Sequence, residues 1–218
     1  MVPHVPAPMT ATRIFTPVTL DRRRYARRVP IAVLIPIKAF HDAKRRLATS
    51  LTSPQRAELA QQMAAVVIAA AHPLPVFVVC DDLAVTEFSI AHGAEVIWCP
   101  SRGLNGAVTD GVLYLADAGF DQVIVAHADL PHAQDLAWVA DFEGVTIVPD
   151  RHQEGTNVMC VPTNAGFNFA YGPGSFLLHS AEAERCQLPL RVAPHGDLGH
   201  DVDSPSDLVG VPIPELRP

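Results

Sequence analysis

Short apolar runs alternate with amphipathic stretches along most of this 218-residue chain, and this alternation restricts its fold more than any other feature. Runs such as 30–37 and 75–80 are bounded by loop residues, as expected of strands buried in a sheet. Ser53 and Pro54 open a stretch that runs to Ala71, which predicts a helix with serine as N-cap and proline at the first position. The alternation predicts an α/β fold with a mostly parallel sheet covered on both faces.

The same pattern continues to the end of the chain. Further strands are expected at 94–99, 121–131, 144–149, 157–162 and 190–193. Further helices are expected at 82–92, 106–118, 132–141 and 175–184, with a last short helix capped by Ser204. Because ligands bind at the carboxyl ends of strands in such sheets, the residues just after each strand are the first candidates for a site.

Charge divides the chain into a tail and a body. Residues 1–29 hold six arginines and one acid, so the remaining residues carry −12 against −7 for the whole chain. We expect a flexible Arg/Pro-rich tail at 1–29, followed by a single domain at 30–218. The acidic body argues against broad nucleic-acid binding. No apolar run approaches the length of a membrane span, and the four scattered cysteines favour reduced thiols, so we expect a cytoplasmic protein.

Both lysines of the chain lie in one loop directly after the first predicted strand. These lysines are Lys38 and Lys44, and Arg45 and Arg46 directly follow Lys44. Lysine is a flexible point charge for phosphate and arginine binds phosphate bidentately, so the loop favours a triphosphate ligand. A solvated basic loop is the alternative. The chain contains neither GxxxxGK[ST] nor GxGxxG after this strand, so the site is not a P-loop and a dinucleotide site is disfavoured.

Three aspartates indicate a magnesium site. Asp129 ends an apolar run and is followed closely by Pro131. Asp201 and Asp203 lie two residues apart, which places both carboxylates on one side of an extended segment. Magnesium prefers carboxylate oxygens together with substrate phosphates, and the set could hold one or two ions. For Asp201 and Asp203 alone, a turn leading into a helix cap is the alternative.

Two glycine-containing segments are weaker candidates. Gly103 and Asn105 precede a predicted helix, where free backbone N–H groups favour anions, although plain capping is an alternative. The turn at 171–175 presents backbone amides suited to a carboxylate or phosphate, or it simply begins a helix. The histidines show no metal-ligand spacing, and His127 is predicted to be a core or supporting residue.

Six segments together resemble a known family. In chain order they are IPIKAFHDAKRRLA, GLNGAV, HADLP, DRHQEGTNVM, FAYGPGSF and DVDSPSDL. The set, which spans Pro30 to Leu208, resembles the phospholactate and phosphoenolpyruvate guanylyltransferases of deazaflavin coenzyme F-420 biosynthesis. The resemblance implies a three-layer, Rossmann-like nucleotidyltransferase fold of the glycosyltransferase-A-like type with a mixed sheet. It also implies transfer of GMP from GTP to a small phospho-acid with release of pyrophosphate. One departure is Ala128, where the family usually has glycine.

The resemblance also implies roles for individual residues. The implied magnesium ligands are Asp129, Asp201 and Asp203. The implied catalytic cations, which also bind the GTP phosphates, are Lys38, Lys44 and Arg46, with Gly103 and Asn105 on the nucleotide side. The implied acceptor-binding residues are Thr156, Gly172 and Ser175. The implied partners are GTP, the phospho-acid and the next transferase of the pathway, for a monomer or homodimer.

Two alternatives stay open from the residues alone. One is a related transferase with another donor or acceptor, such as a glycosyltransferase that uses Asp201-Val202-Asp203 as its DxD motif. A molybdopterin guanylyltransferase or cytidylyltransferase is disfavoured because no GxGG-type phosphate loop follows the first strand. The other alternative is a non-catalytic nucleotide-binding protein. The acceptor itself stays open among phosphoenolpyruvate, 2-phospho-L-lactate and 3-phospho-D-glycerate.

Overall fold

The computed structural model describes residues 30–211, so the tail predicted at 1–29 lies outside the described residues. The apolar runs form the strands β1 (Ile31–Pro36), β2 (Val76–Cys80), β3 (Glu95–Trp98), β4 (Gln122–Ala126), β5 (Val145–Pro149), β6 (Thr156–Pro162) and β7 (Leu190–Val192). The α-helices of this part of the chain are α1 (Ser53–Ala70), α2 (Leu83–Ala91), α3 (Gly103–Ala118) and α4 (Ser175–Arg185).

The seven strands form one mixed sheet in the order β3-β2-β1-β4-β6-β5-β7. Strand β6 runs antiparallel to both of its neighbours, β4 and β5, and every other neighbouring pair is parallel. The predicted α/β class with a mostly parallel mixed sheet is confirmed. Because β6 is reversed, it starts at the same edge of the sheet at which β1 and β4 end.

Helices cover both faces of the sheet. Alternate residues of β1 show this division, as the period of two in a strand requires. Val33 and Ile35 belong to a buried cluster with α1 and α2, whereas Ala32 and Leu34 belong to a second cluster with α3 and α4. A side chain built on Gly111 of α3 would come within 2.8 Å of Leu34, so glycine lets this helix lie close to the sheet.

Several predicted boundaries are wrong. Helix α1 is capped by Thr52, whose N–H donates to Gln55 Oε1 at 3.0 Å, and Ser53 is its first residue. Helix α3 begins at Gly103 and not at 106, and strand β4 ends at Ala126 and not near 131.

The helix predicted at 132–141 is also wrong, since this segment contains only a short 3-10 helix, Ala137–Ala140. The Asp135 carboxylate accepts the Ala137 N–H at 2.8 Å, a local bond that competes with helix formation. No helix within residues 30–211 is both long and apolar enough to cross a lipid bilayer.

Candidate functional site

A cavity of about 550 Å³ opens at the edge where β1 and β4 end. Its charged and polar lining residues come from three parts of the chain: Lys38, Asp42, Lys44, Arg45, Arg46, His127, Asp129 and Asp203. A second cavity of about 250 Å³ shares Lys38 and Leu104 with the first, and it reaches Asp81 after β2 and Gly103 at the start of α3. The position agrees with the expectation that ligands bind at the carboxyl ends of the strands.

Lys44 lies between two of the predicted metal ligands. Its Nζ donates to Asp129 Oδ2 at 2.5 Å and to Asp203 Oδ1 at 3.1 Å. The side chain is only 9% exposed, and its residue has a left-handed backbone (φ 54°) at the start of the 3-10 helix Arg45–Thr49. Burial alone lowers the pKa of Lys44, but the carboxylates of Asp129 and Asp203 outweigh burial and raise that pKa. Lys44 is therefore a charged ammonium inside the cavity.

Only one of the two carboxylate oxygens of Asp129 accepts a hydrogen bond from a side chain of the described residues. Burial alone raises the pKa of Asp129, but the charge and hydrogen bond of Lys44, together with weaker favourable interactions, lower that pKa overall. While Oδ2 accepts from Lys44, the Oδ1 atom is buried and has no hydrogen-bond partner within residues 30–211. The neighbouring Ala128 also lines the cavity.

The segment 201–203 lies beside Asp129, as the predicted metal site requires. The Val202 N–H donates to the Asp129 carbonyl at 3.3 Å, and the Val202 side chain is fully buried against Leu47 and Leu59. Burial and the nearby carboxylates of Asp129 and Asp203 raise the pKa of Asp201. The alternation predicted from the sequence is thus present, with valine facing the core between two acids.

The donor chemistry of these three aspartates fits a divalent cation. In Asp129, one buried carboxylate oxygen has no hydrogen-bond partner in the described residues. In Asp201, the neighbouring carboxylates oppose ionisation of the carboxyl group, and a bound cation would relieve that repulsion. Within residues 30–211, however, no group of three or more His, Cys, Asp or Glu side chains is arranged to hold a metal ion. The Lys44 ammonium stands between Asp129 and Asp203. Magnesium binding therefore stays a prediction.

Asp207, which is not among the predicted site residues, fixes the segment that carries Asp203. Its Oδ2 accepts the N–H of Asp203 at 3.0 Å and of Ser204 at 2.7 Å, and its Oδ1 pairs with Arg151. Burial alone raises the pKa of Asp207, but these backbone donors and Arg151 lower it to about 2. The S-x-x-D spacing of Ser204 and Asp207 was the available signal, because it is a variant of the capping box.

The other predicted phosphate-binding cations lie at the mouth of the cavity. Lys38 lies just after β1, is exposed and lines both cavities. Arg46 is 78% exposed, and its Nη1 lies 3.5 Å from Asp203 Oδ2. Lys38, Lys44 and Arg46 therefore do lie around one cavity, as predicted, with Lys44 at the base.

Asn105 connects α3 to the segment before α4. Its Oδ1 accepts the Tyr171 N–H at 2.7 Å, and its Nδ2 donates to the Tyr171 carbonyl at 3.2 Å. The amide side chain is thus used to hold the Tyr171 backbone. Gly103 begins α3 and lines the smaller cavity. The nucleotide-binding roles of Gly103 and Asn105 stay predictions.

Thr156, Gly172 and Ser175 lie together, as predicted, but their polar groups bond to the protein. The Thr156 N–H donates to Ser175 Oγ at 3.0 Å, and the Ser175 N–H donates to the Gly172 carbonyl at 3.1 Å. Thr156 and Ser175 are only 1% and 2% exposed. Gly172 has a φ of 132°, a conformation that favours glycine. The predicted contact of these residues with an acceptor stays a prediction.

His179 completes this buried group. The Ala170 N–H donates to His179 Nε2 at 2.9 Å, so the ring proton is on Nδ1, which lies 3.0 Å from Thr156 Oγ1 and donates to it. Burial lowers the pKa of His179 to about 4. The imidazole is therefore neutral at pH 7.

The rings of His127 and Tyr171 lie between this buried group and the cavity. The His127 and Tyr171 ring centroids are 5.1 Å apart. His127 lines the cavity, and both its Nε2 and the Tyr171 hydroxyl are buried without a hydrogen-bond partner in the described part of the chain. His127 was predicted to be a core or supporting residue, and Tyr171 was included only as the first residue of the candidate turn 171–175.

Comparisons with known proteins agree on one family. Residues 31–213 match the family model described as "Guanylyl transferase CofC like". The chain is 32% identical over 179 residues to a phosphoenolpyruvate guanylyltransferase of Roseiflexus castenholzii, covering 81% of this chain and 85% of that protein. It is 29% identical over 182 residues to a 2-phospho-L-lactate guanylyltransferase of a Methanocaldococcus species, covering 81% of this chain and 78% of that protein.

Solved structures with low sequence identity share the fold. A structure described as a nucleotide-diphospho-sugar transferase from Desulfovibrio desulfuricans has a TM-score of 0.67 at 15% identity, covering 83% of this chain and 85% of that one. A 4-diphosphocytidyl-2C-methyl-D-erythritol synthase has a TM-score of 0.57 at 11% identity, covering 84% of this chain and 97% of that one. The fold is therefore that of the nucleotidyltransferases.

Proposed function

The chain belongs to the CofC-like guanylyl transferase family, and on that premise we propose that it transfers GMP from GTP to a small phospho-acid and releases pyrophosphate. The observation that carries the proposal is the cavity at the ends of β1 and β4, where Lys38, Lys44 and Arg46 lie with two of the predicted metal-binding aspartates, Asp129 and Asp203. In the reaction, a phosphate oxygen of the acceptor attacks the α-phosphorus of GTP. The bond from that phosphorus to the pyrophosphate oxygen breaks, and pyrophosphate leaves.

Positioning and charge neutralisation supply most of the catalysis in such a displacement. Lys38 and Arg46 at the mouth, with Lys44 at the base, are proposed to bind the GTP phosphates and to stabilise the charge of the departing pyrophosphate. The smaller cavity with Gly103, next to Asn105, is proposed as the nucleoside side of the site.

We propose Asp129, Asp201 and Asp203 as the residues that hold magnesium. When bound, magnesium supplies positive charge that offsets the repulsion between the acceptor phosphate and GTP. The protein itself contributes the positions of these acids: Asp207 holds the Asp203 backbone, and the Val202 N–H links the segment to Asp129.

Thr156, Gly172 and Ser175 are proposed to serve the acceptor side of the site. Because the Thr156 and Ser175 hydroxyls are buried and paired, we propose that they act by holding the turn 172–175 and the adjoining Tyr171 in place. In coenzyme F-420 biosynthesis, the proposed pathway, the product passes to the next transferase. We propose a cytoplasmic enzyme, as a monomer or homodimer.

The test is pyrophosphate release by the purified protein with GTP and magnesium. Phosphoenolpyruvate, 2-phospho-L-lactate and 3-phospho-D-glycerate are added in turn, with the next transferase present to remove the product. Release with one acid identifies both the reaction and the acceptor. Free nucleoside diphosphate instead of pyrophosphate would indicate glycosyl transfer. If folded protein that binds GTP releases no pyrophosphate with any of the three acids, the proposal is overturned.

A further inference from the structure

The smaller cavity contains a carboxylate that the described part of the protein does not use. Asp81 lies directly after β2, is exposed and lines this cavity of about 250 Å³. Within residues 30–211 its carboxylate accepts no hydrogen bond and forms no ion pair. The adjacent Asp82 differs, because its Oδ1 accepts the Val85 N–H at 3.0 Å and caps α2. Of two neighbouring acids, one therefore supports a helix and the other is left for a ligand.

The walls of the smaller cavity suit the flat face of a nucleobase. Ile37, Val79, Leu104 and Ala107 give it apolar surface, and Gly103 adds no side chain. A Cβ built on Gly103 would meet no other group within 4 Å, so the space beside this glycine is open. The volume is below the about 300–1,000 Å³ of sites that enclose whole drug-sized ligands. The cavity therefore suits a base, with the phosphates outside it.

The two cavities also give a nucleotide its direction. Lys38 lines both of them, so a nucleotide with its base in the smaller cavity has its phosphates on the Lys38 side. Asp81 lines only the smaller cavity, together with Cys99 at the end of β3. Burial, with smaller contributions from neighbouring charges that include Asp81, raises the pKa of the Cys99 thiol to about 11. A carboxylate in this place repels a triphosphate unless the base offers it donors.

Guanine differs from the other common bases in the donors that it offers to a carboxylate. A carboxylate has two acceptor oxygens and no donor. Guanine has two adjacent donors on its Watson–Crick edge, N1–H and the N2 amino group, whereas adenine and cytosine each present an amino group beside an unprotonated ring nitrogen. Uracil presents a single N–H between two carbonyl groups. A carboxylate can therefore accept two adjacent hydrogen bonds from guanine alone among these bases.

We propose that the Asp81 carboxylate accepts hydrogen bonds from N1–H and the N2 amino group of guanine, and so selects GTP over other nucleoside triphosphates. This inference rests on the proposed function and names the residue that provides its guanine selectivity. Asp81 acts on the base and has no part in the attack on the α-phosphorus. Its contribution is to the affinity for the donor nucleotide and to the choice of base.

Nucleotide analogues test this contact one group at a time. ITP is GTP without the N2 amino group, and XTP carries a carbonyl oxygen in its place. Calorimetry with magnesium and without an acceptor should show the wild type binding GTP about tenfold or more tightly than ITP, the effect of one hydrogen bond to a charged group. Asp81→Asn should lose this preference and bind XTP more tightly than GTP, because the asparagine amide donates to the carbonyl while its oxygen accepts from N1–H.

Asp82→Asn is the matched control. Its amide oxygen can still accept the Val85 N–H, so this variant should keep the wild-type order of affinities for GTP, ITP and XTP. Ligand-free Asp81→Asn should melt at the wild-type temperature, because the carboxylate that it replaces is exposed and has no partner in the described residues.

The order of affinities separates recognition of the base from a general effect of charge. If Asp81→Asn changes the affinities for GTP, ITP and XTP by one common factor, or changes none of them, the inference is overturned. Equal binding of GTP and ITP by the wild type would overturn it as well, even if GMP is transferred. If the preference shifts to XTP in Asp81→Asn but the wild type transfers GMP to no phospho-acid, the proposed function fails and the inference stands.

Discussion

Two polar regions at the same edge of the sheet are built in opposite ways. The charged cavity is lined by Lys38, Lys44, Arg46, Asp129 and Asp203, and Asp201 lies close to these two aspartates. The Thr156 cluster consists of Thr156, Ser175 and His179. In the Thr156 cluster each ring nitrogen of His179 has a partner within the protein. In the charged cavity an oxygen of Asp129 has none, and Asp201 faces like charges.

The difference separates binding groups from supporting groups. A buried polar group that already has its partners stabilises the fold and has little left to offer a ligand. A group that lacks a partner, or that lies beside like charges, lowers the stability of the free protein. A ligand that supplies the missing hydrogen bond or the opposite charge then binds favourably. We therefore expect changes in the charged cavity to reduce activity more than stability, and changes in the Thr156 cluster to do the reverse.

The largest expected effect is that of Asp201→Asn. Turnover should fall about a hundredfold or more, the loss typical of removing a group that stabilises transition-state charge. The melting temperature should hold or rise, because burial and two neighbouring carboxylates oppose the charge of Asp201. Asp121→Asn, at the opposite edge of the sheet, is the control and should retain activity. A folded Asp201→Asn variant with near-normal turnover would remove Asp201 from the site.

Lys44→Met tests whether a cation belongs between Asp129 and Asp203. The variant leaves a buried carboxylate unpaired, and we expect a loss of about 3 kcal/mol in the free energy of unfolding. Millimolar magnesium should restore more of this stability in the variant than it adds to the wild type. Denaturant titrations with and without magnesium measure both effects. Equal magnesium effects in the two proteins would contradict a metal site at these acids.

Acid should weaken the Thr156 cluster through His179. The pKa of this imidazole is about 4 in the folded protein, because burial lowers it from its ordinary value of 6.5. Its neutral form therefore stabilises the fold above pH 6.5, and this contribution is lost as the pH falls towards 4, by up to about 3 kcal/mol. Denaturant titrations at several pH values should show this slope, and His179→Gln should lack it. An unchanged slope in the variant would assign the acid sensitivity to other groups.

Thr156→Val has the smallest expected effect and tests the comparison most directly. The change leaves the Nδ1–H of His179 without its acceptor, at a cost of about 1–3 kcal/mol. The KM values for GTP and for the acceptor should each stay within a few-fold of the wild type. Thr156→Ser, which keeps the hydroxyl, is the matched control. A large rise in the acceptor KM with unchanged stability would show that Thr156 contacts the acceptor and does not merely support the fold.

The sequence predicted the sheet and the cations well because both are local signals. Each apolar run contains a strand, although the strand predicted at 121–131 ends at Ala126, and the loop with both lysines borders the cavity. The helix expected at 132–141 failed because the Asp135 side chain bonds to the backbone nearby, which composition alone does not show.

What the sequence did not reveal depends on contacts between distant residues. Lys44 and Asp129 are 85 positions apart, so their bond was not predictable from spacing. The same holds for Asn105 and Tyr171, which are 66 apart, and for the use of Thr156 as the hydrogen-bond acceptor of His179. Asp207 was the exception, because its spacing from Ser204 was visible and went unused.

Val202 also determines when the site is completed during synthesis. It packs with Leu47, Leu51, Leu59 and Met63, which the ribosome makes about 150 residues earlier. Until residues 198–208 are synthesised, those earlier side chains lack their apolar contact with Val202. Lys44 likewise lacks its hydrogen bond to the Asp203 carboxylate. The acids that give the cavity its charge therefore arrive together with the valine that anchors them. All seven strands are thus synthesised before the last acids of this site.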